Sequence, residues 1–108
     1  MRRIYTYGGY FENFIAKLPE SVVRKIDYGL TLLKTIDRLS SKYVKHIEDG
    51  IFELRIESSG NIYRVFFIFD KGDIVVLFNG FQKKTQKTPR TEIEKAKKIK
   101  KDYYDAHK

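Results

Sequence analysis

Hydrophobic and polar residues alternate most regularly in the middle of the chain. Between residues 52 and 57, apolar side chains take every second position and charged ones the positions between, as in a strand with one face on a core. Residues 62–69 are apolar almost throughout, as in a central strand covered on both faces. A third strand is predicted at 74–78, and turn signals at 58–61 and 70–73 separate the three. The pattern predicts an antiparallel meander.

Helical spacing dominates the first forty residues, after a short strand at 3–7. Apolar residues recur three and four apart over 10–18, and Pro19 then opens a longer amphipathic helix ending near Leu39. Residues 40–50 are interpreted as connective, with a short helical turn at 41–45. Beyond Pro89, a thin apolar stripe predicts a C-terminal helix with Thr88 or Thr91 as its N-cap.

These elements predict the fold class α+β. We expect an N-terminal helical hairpin packed on a small twisted antiparallel sheet, followed by a C-terminal helix. A chain of 108 residues can bury one modest core, so residues 1–108 are interpreted as a single domain.

Charge is concentrated near the C-terminus. The formal net charge is +8, and from residue 82 onward there are 10 basic and 4 acidic residues. A localised positive field favours a polyanion or an acidic protein as partner. A solvated lysine-rich helix at 95–101 is the alternative.

Several classes of protein are disfavoured by composition. The chain has no cysteine and no apolar run of about 18 residues, so we expect a cytoplasmic protein outside the membrane. His46 and His107 lack the spacing of metal ligands, and no glycine-rich phosphate loop is present, so we expect neither a metal nor a cofactor.

Strand register brings two arginines together. A two-residue loop at Ser59 and Gly60 places Arg55 opposite Arg64, and a two-residue loop at 71–72 places Asn79 beside Arg64. Like charges facing each other are unfavourable unless an anion lies between them, and guanidinium groups bind phosphate through paired hydrogen bonds. Arg55, Arg64 and Asn79 would then form one row across the sheet, which predicts a phosphate clamp. The alternative is that each arginine forms an ion pair with Glu53, Glu57 or another carboxylate.

The residues after the third strand extend this candidate site. Lys83 and Lys84 are placed to contact phosphate or to donate a proton to a leaving oxygen. Phe81 is a candidate for stacking on an unpaired base. Lys87 and Arg90 continue the cationic segment and are further candidates for contact with RNA.

Three motifs in order resemble the HigB branch of the RelE/ParE toxin superfamily, whose members are often phage-derived. They are Gly50-Ile51-Phe52-Glu53-Leu54-Arg55, then Tyr63-Arg64-Val65-Phe66-Phe67, then Gly80-Phe81-Gln82-Lys83-Lys84-Thr85-Gln86-Lys87-Thr88-Pro89. The resemblance implies a ribosome-dependent endoribonuclease in which the 2′-hydroxyl of messenger RNA attacks the adjacent phosphate. It also implies a cognate antitoxin, often a helix-turn-helix protein, as partner.

The resemblance assigns roles to particular positions. Arg55 and Arg64 match cations that stabilise the phosphate in the transition state, and Lys83 or Lys84 becomes the acid for the leaving group. Glu53 stands where a relative has a second strand cation and is kept as an RNA-contacting residue. The residues themselves leave Glu48, Glu53 and a His107 reaching the sheet from the tail open for acid-base chemistry. ParE-type members poison DNA gyrase instead, so a gyrase inhibitor and a non-catalytic basic binding module remain alternatives.

Overall fold

A computed structural model describes residues 1–83 and 87–107. Over these ranges the chain forms five strands and three helices. They are β1 (Arg3–Thr6), α1 (Tyr10–Ile15), α2 (Glu20–Thr35), β2 (Val44–Glu48), β3 (Ile51–Ser58), β4 (Asn61–Asp70), β5 (Ile74–Lys83) and α3 (Arg90–Ala106). None of the helices in these ranges is long and apolar enough to cross a membrane.

All five strands join one sheet in the order β1-β5-β4-β3-β2. The α+β class is confirmed, but the purely antiparallel sheet is not, because β1 pairs in parallel with β5. The interpretation of 40–50 as connective was also wrong. Val44–Glu48 is a strand that turns through Asp49 and Gly50, both with positive φ, to pair with β3.

Helices α1 and α2 cover one face of the sheet, but they do not follow the predicted N-terminal helical hairpin. The strand predicted at 3–7 is confirmed as β1, but α1 is only six residues long instead of extending over 10–18. Each helix approaches a different strand at a glycine. A Cβ on Gly80 of β5 would overlap the Phe14 ring, and one on Gly29 of α2 would lie 2.5 Å from Ile56 Cδ1 of β3. The two helices therefore seal an apolar core from separate positions on the sheet.

The opposite face is partly covered by α3, in agreement with the interpretation of residues 62–69 as a central strand covered on both faces. Phe66, Phe78 and Ile99 belong to a second apolar core between this helix and the sheet. The N-cap prediction was wrong, because α3 begins after Pro89 without a side-chain cap and Thr88 bonds elsewhere. Burial and a 2.6 Å hydrogen bond to Asp70 raise the pKa of Tyr103 in this core to about 12.

Strand register is confirmed for one hairpin and corrected for the other. Arg55 lies opposite Arg64 as predicted, across the two-residue loop Ser59-Gly60. Arg64 is opposite Phe81 rather than beside Asn79. The second loop has three residues, since Asp70 pairs with Ile74, and a β-bulge follows between Val65 and Phe67. Together these features shift β5 against β4.

Candidate functional site

An open cleft of about 730 Å³ lies over the β3–β4 hairpin and the end of β5. Its described lining carries four cationic side chains and a single carboxylate. The lining residues are Ser41, Lys45, Glu53, Arg55, Gly60, Asn61, Ile62, Arg64, Gln82, Lys83 and Thr88. None of these belongs to α3, so this is the part of the second face that the helix leaves open.

The two opposed arginines differ in their exposure. Arg55 forms a 3.0 Å ion pair with Glu57, and its side chain is 35% exposed. Arg64 is bonded through Nη1 to Glu53, with side-chain exposures of only 6% and 2% for the two partners. The alternative in which each arginine has its own carboxylate is therefore what the structure shows. The cleft has one accessible guanidinium and one inner guanidinium instead of two equivalent ones.

Both guanidinium groups nevertheless keep a donor that their carboxylate does not use. The Nε atoms of Arg55 and Arg64 are buried and have no hydrogen-bond partner among the described residues. A buried donor without an acceptor costs about 1–3 kcal/mol, so such groups are rare unless a ligand or water satisfies them. These Nε atoms each expose less than 1 Å² and therefore lie beneath the cleft surface. It is the excess of four cations over one carboxylate in the described lining that favours an anion as the ligand.

Glu53 is enclosed in the wall of the cleft. Its Oε2 accepts from Arg64, and its Oε1 accepts from the Thr88 hydroxyl at 3.3 Å. The residue is 1% exposed, so the expected direct contact with RNA does not fit its position. Because both of its oxygens are engaged, Glu53 is also badly placed to remove a proton from a substrate.

Glu48, the other candidate base, lies outside the cleft lining. Hydrogen bonds from Arg90, at 2.5 and 3.0 Å, and from Lys97 lower the pKa of Glu48 to about 2. A carboxylate with so low a pKa is a weak base at neutral pH.

Lys83 ends β5 at the cleft, opposite Ile62. Burial lowers the pKa of its ammonium, and the positive charge of Arg64 lowers it further, while Glu53 opposes both effects. A lowered pKa brings the ammonium toward the range in which a general acid is effective. Lys84, its predicted alternate, lies outside the described residues.

Sequence reasoning missed Lys45, which lies opposite Glu53 across the β2–β3 pairing and lines the cleft. The sequence did contain a signal for this strand, because the turn residues Asp49 and Gly50 follow five residues of mixed polarity and precede β3. It also missed Asn61 and Gln82, whose side-chain amides bond to each other at 3.2 Å in the cleft lining.

Four of the predicted RNA contacts lie away from the described lining. Asn79 is 2% exposed and donates to Glu92 Oε1 of α3 at 3.2 Å. Phe81 is nine-tenths buried, with its ring centroid 5.3 Å from that of Phe66. Arg90 is held by Glu48 and Glu94, and Lys87 is exposed just before the start of α3. Of the predicted residues, the structure therefore brings Arg55, Arg64, Lys83 and Glu53 together.

The fold and the cleft together define a small basic α+β protein whose cations converge on the uncovered part of one sheet face. The chain belongs to the family described as "Phage derived protein Gp49-like (DUF891)", whose model matches residues 13–101. This family is of the toxin–antitoxin type, which indicates an antitoxin as partner. No curated protein matches the chain.

Proposed function

We propose that this protein is the toxin of a type II toxin–antitoxin module and a ribosome-dependent messenger RNA endoribonuclease of the HigB/RelE type. The observation that carries the proposal is the opposed pair of guanidinium donors of Arg55 and Arg64, which line one cleft together with Lys45 and Lys83. A scissile phosphate supplies the negative oxygens that such donors lack. Family membership supports the toxin class, and the cleft supports phosphate chemistry.

In the proposed reaction, the ribose 2′-oxygen forms a bond to the adjacent phosphorus as the bond from phosphorus to the 5′-oxygen breaks. The products are a 2′,3′-cyclic phosphate and a 5′-hydroxyl. The Lys83 ammonium gives its proton to the departing 5′-oxygen, and the proton of the 2′-hydroxyl passes to water in the open cleft. Lys84 stays a second candidate for the acid.

Arg55 and Arg64 stabilise the extra negative charge that develops on the phosphate oxygens. Donors fixed on strands act on this charge without having to reorient during the reaction. Arg55, the more exposed of the two, meets the phosphate first, and Arg64 adds charge from the floor of the cleft.

Brief induction followed by sequencing of RNA ends tests this function. Arg55→Ala removes the accessible guanidinium and should lower cleavage about 100-fold, the usual cost of losing one donor to transition-state charge. Arg24→Ala is the matched control, because Arg24 also forms an exposed arginine–glutamate pair but lies on α2. Wild type and Arg24→Ala should give discrete message ends with 5′-hydroxyls.

Two results would contradict the proposal. Cleavage by Arg55→Ala at the wild-type rate would remove the guanidinium from the chemistry. Intact messages accompanied by DNA-damage signalling would instead favour the gyrase inhibitor. A charge-only binding module predicts that Arg55→Lys is harmless, whereas a paired-donor contact predicts a clear loss.

A further inference from the structure

One carboxylate joins three separate parts of the chain at the cleft wall. Glu53 lies on β3, its Oε2 accepts from Arg64 on β4, and its Oε1 accepts from Thr88, two residues before the start of α3. With Glu53 1% exposed, these bonds are largely shielded from water. The carboxylate therefore links the inner guanidinium to the segment that leads into the helix.

Stability alone does not explain a charged pair at this position. A buried ion pair is often no more stabilising than well-packed apolar residues of similar volume, because both ions must be removed from water. The Arg64 guanidinium has five N–H donors, and Glu53 accepts a hydrogen bond from the Nη1 atom. The planar group is thereby held in one orientation while its Nε remains unused by the described residues.

Glu53 also acts on the proposed acid. Burial, Arg64, Arg55 and Lys45 all lower the pKa of Lys83, whereas the charge of Glu53 raises it. Without that negative charge, the ammonium would lose its proton at a lower pH and could no longer protonate a leaving oxygen there.

We propose that Glu53 is a positioning residue for the cleavage reaction, which fixes the orientation of the Arg64 guanidinium and places its negative charge in the cleft that Lys83 also lines, without touching RNA. This inference rests on the proposed function. It replaces the sequence-based expectation that Glu53 contacts RNA directly.

Glu53→Gln provides the main test, because the amide keeps the shape and one acceptor oxygen but removes the charge. We expect cleavage of ribosome-bound message to fall at least tenfold at neutral pH. The alkaline limb of the pH–rate profile should move to lower pH, which a purely structural defect would not cause. Glu94→Gln is the matched control, since Glu94 pairs with Arg90 on α3, and it should change neither quantity. An unmoved alkaline limb in Glu53→Gln would overturn the proposal.

A measurement without RNA separates this inference from the proposed function. Lysine side chains labelled with ¹³C at Cε are titrated by NMR, with Lys83 assigned through Lys83→Arg. We expect the Lys83 titration to move to lower pH in Glu53→Gln but not in Glu94→Gln. If it moves and wild type does not cleave RNA, the charge effect stands and the nuclease is wrong. If it does not move, the positioning role is wrong whatever the nuclease result.

Thr88→Val covers the case in which Glu53→Gln does not fold. This change removes the hydroxyl from Oε1 and leaves the bond between Glu53 and Arg64 in place. We expect a several-fold lower kcat with little change in KM, restored by Thr88→Ser. Equal kcat values for the valine and serine variants would overturn the link between this segment and Arg64.

Discussion

Two cation-rich regions of this protein differ in how many carboxylates accompany their cations. We call the first the α3 clasp: Glu48 at the end of β2 and Asp49 in the turn that follows hold Arg90, Lys97 and Lys100 of the helix. In the cleft, four cations share one carboxylate among the described lining residues. The clasp satisfies its charges internally and fixes a helix, whereas the cleft leaves donors for a ligand. The number of basic residues in the sequence indicates that positive charge is concentrated near the C-terminus. The ion pairs in the structure show that the cleft, rather than the clasp, has cations available for a ligand.

The largest expected effect follows from breaking the buried pair of the cleft. Arg64→Ala leaves the Glu53 carboxylate buried without its cation, which typically costs about 3–5 kcal/mol. We expect that loss in the free energy of unfolding measured by urea denaturation. Arg24→Ala removes one arginine from an exposed i,i+4 pair and should cost about 0.5 kcal/mol or less. Similar losses for both variants would contradict the burial of the Arg64 pair.

The next effect concerns binding by the cleft. Arg55→Ala should weaken binding of a 2′-O-methyl oligoribonucleotide, which cannot be cleaved, by about 10- to 100-fold, because a hydrogen bond to a charged group contributes about 1.5–3 kcal/mol. Fluorescence anisotropy at several salt concentrations measures this loss. Lys98→Ala removes a cation from an exposed position on α3 and should bind nearly as wild type. Equal weakening would mean that the whole basic end, rather than the cleft, binds the RNA.

Acid stability distinguishes the clasp from the cleft. Arg90 and Lys97 hold the pKa of Glu48 near 2, below its ordinary value of 4.5. A depressed pKa contributes stability that is present above about pH 4.5 and is lost as pH falls toward 2. Glu48→Gln should therefore lower the melting temperature at neutral pH and flatten its decline across this window. If the melting temperature of Glu48→Gln fell with pH as steeply as that of the wild type, the clasp would contribute nothing to the acid sensitivity.

The smallest effect concerns the start of α3. Thr91 was a candidate N-cap, but the helix has no side-chain cap and is held by the clasp and its apolar stripe. Thr91→Ala should change the free energy of unfolding by no more than about 0.5 kcal/mol in urea denaturation. A loss near 1 kcal/mol, typical of a removed cap, would contradict this description.

The β3–β4 hairpin was predictable because its turn fixes the pairing locally. Ser59 and Gly60 both have positive φ, as a two-residue hairpin loop requires, so the positions of Arg55 and Arg64 followed from counting. The neighbouring hairpin was not predictable in the same way. The β-bulge of that hairpin lies several residues from the turn, and the local sequence does not indicate the position of the extra residue.

The burial of Glu53 was also beyond the local pattern. Alternation places Glu53 and Arg55 on the same side of β3, and this pattern is typical of a solvated face. What encloses Glu53 is a partner on β4 and Thr88, 35 residues further along the chain. Contacts between residues far apart in the sequence therefore determine that Glu53 is buried while Arg55, two positions away, stays accessible.

The order of strands has a consequence for how this protein behaves at high concentration. The long apolar strands β4 and β5 each have hydrogen-bonded neighbours on both sides, and the two outermost strands, β1 and β2, have only four and five residues. Short outer strands with charged residues such as Arg3 and Lys45 offer little backbone to a strand from another molecule. The sheet order thus protects its most aggregation-prone segments from pairing between molecules.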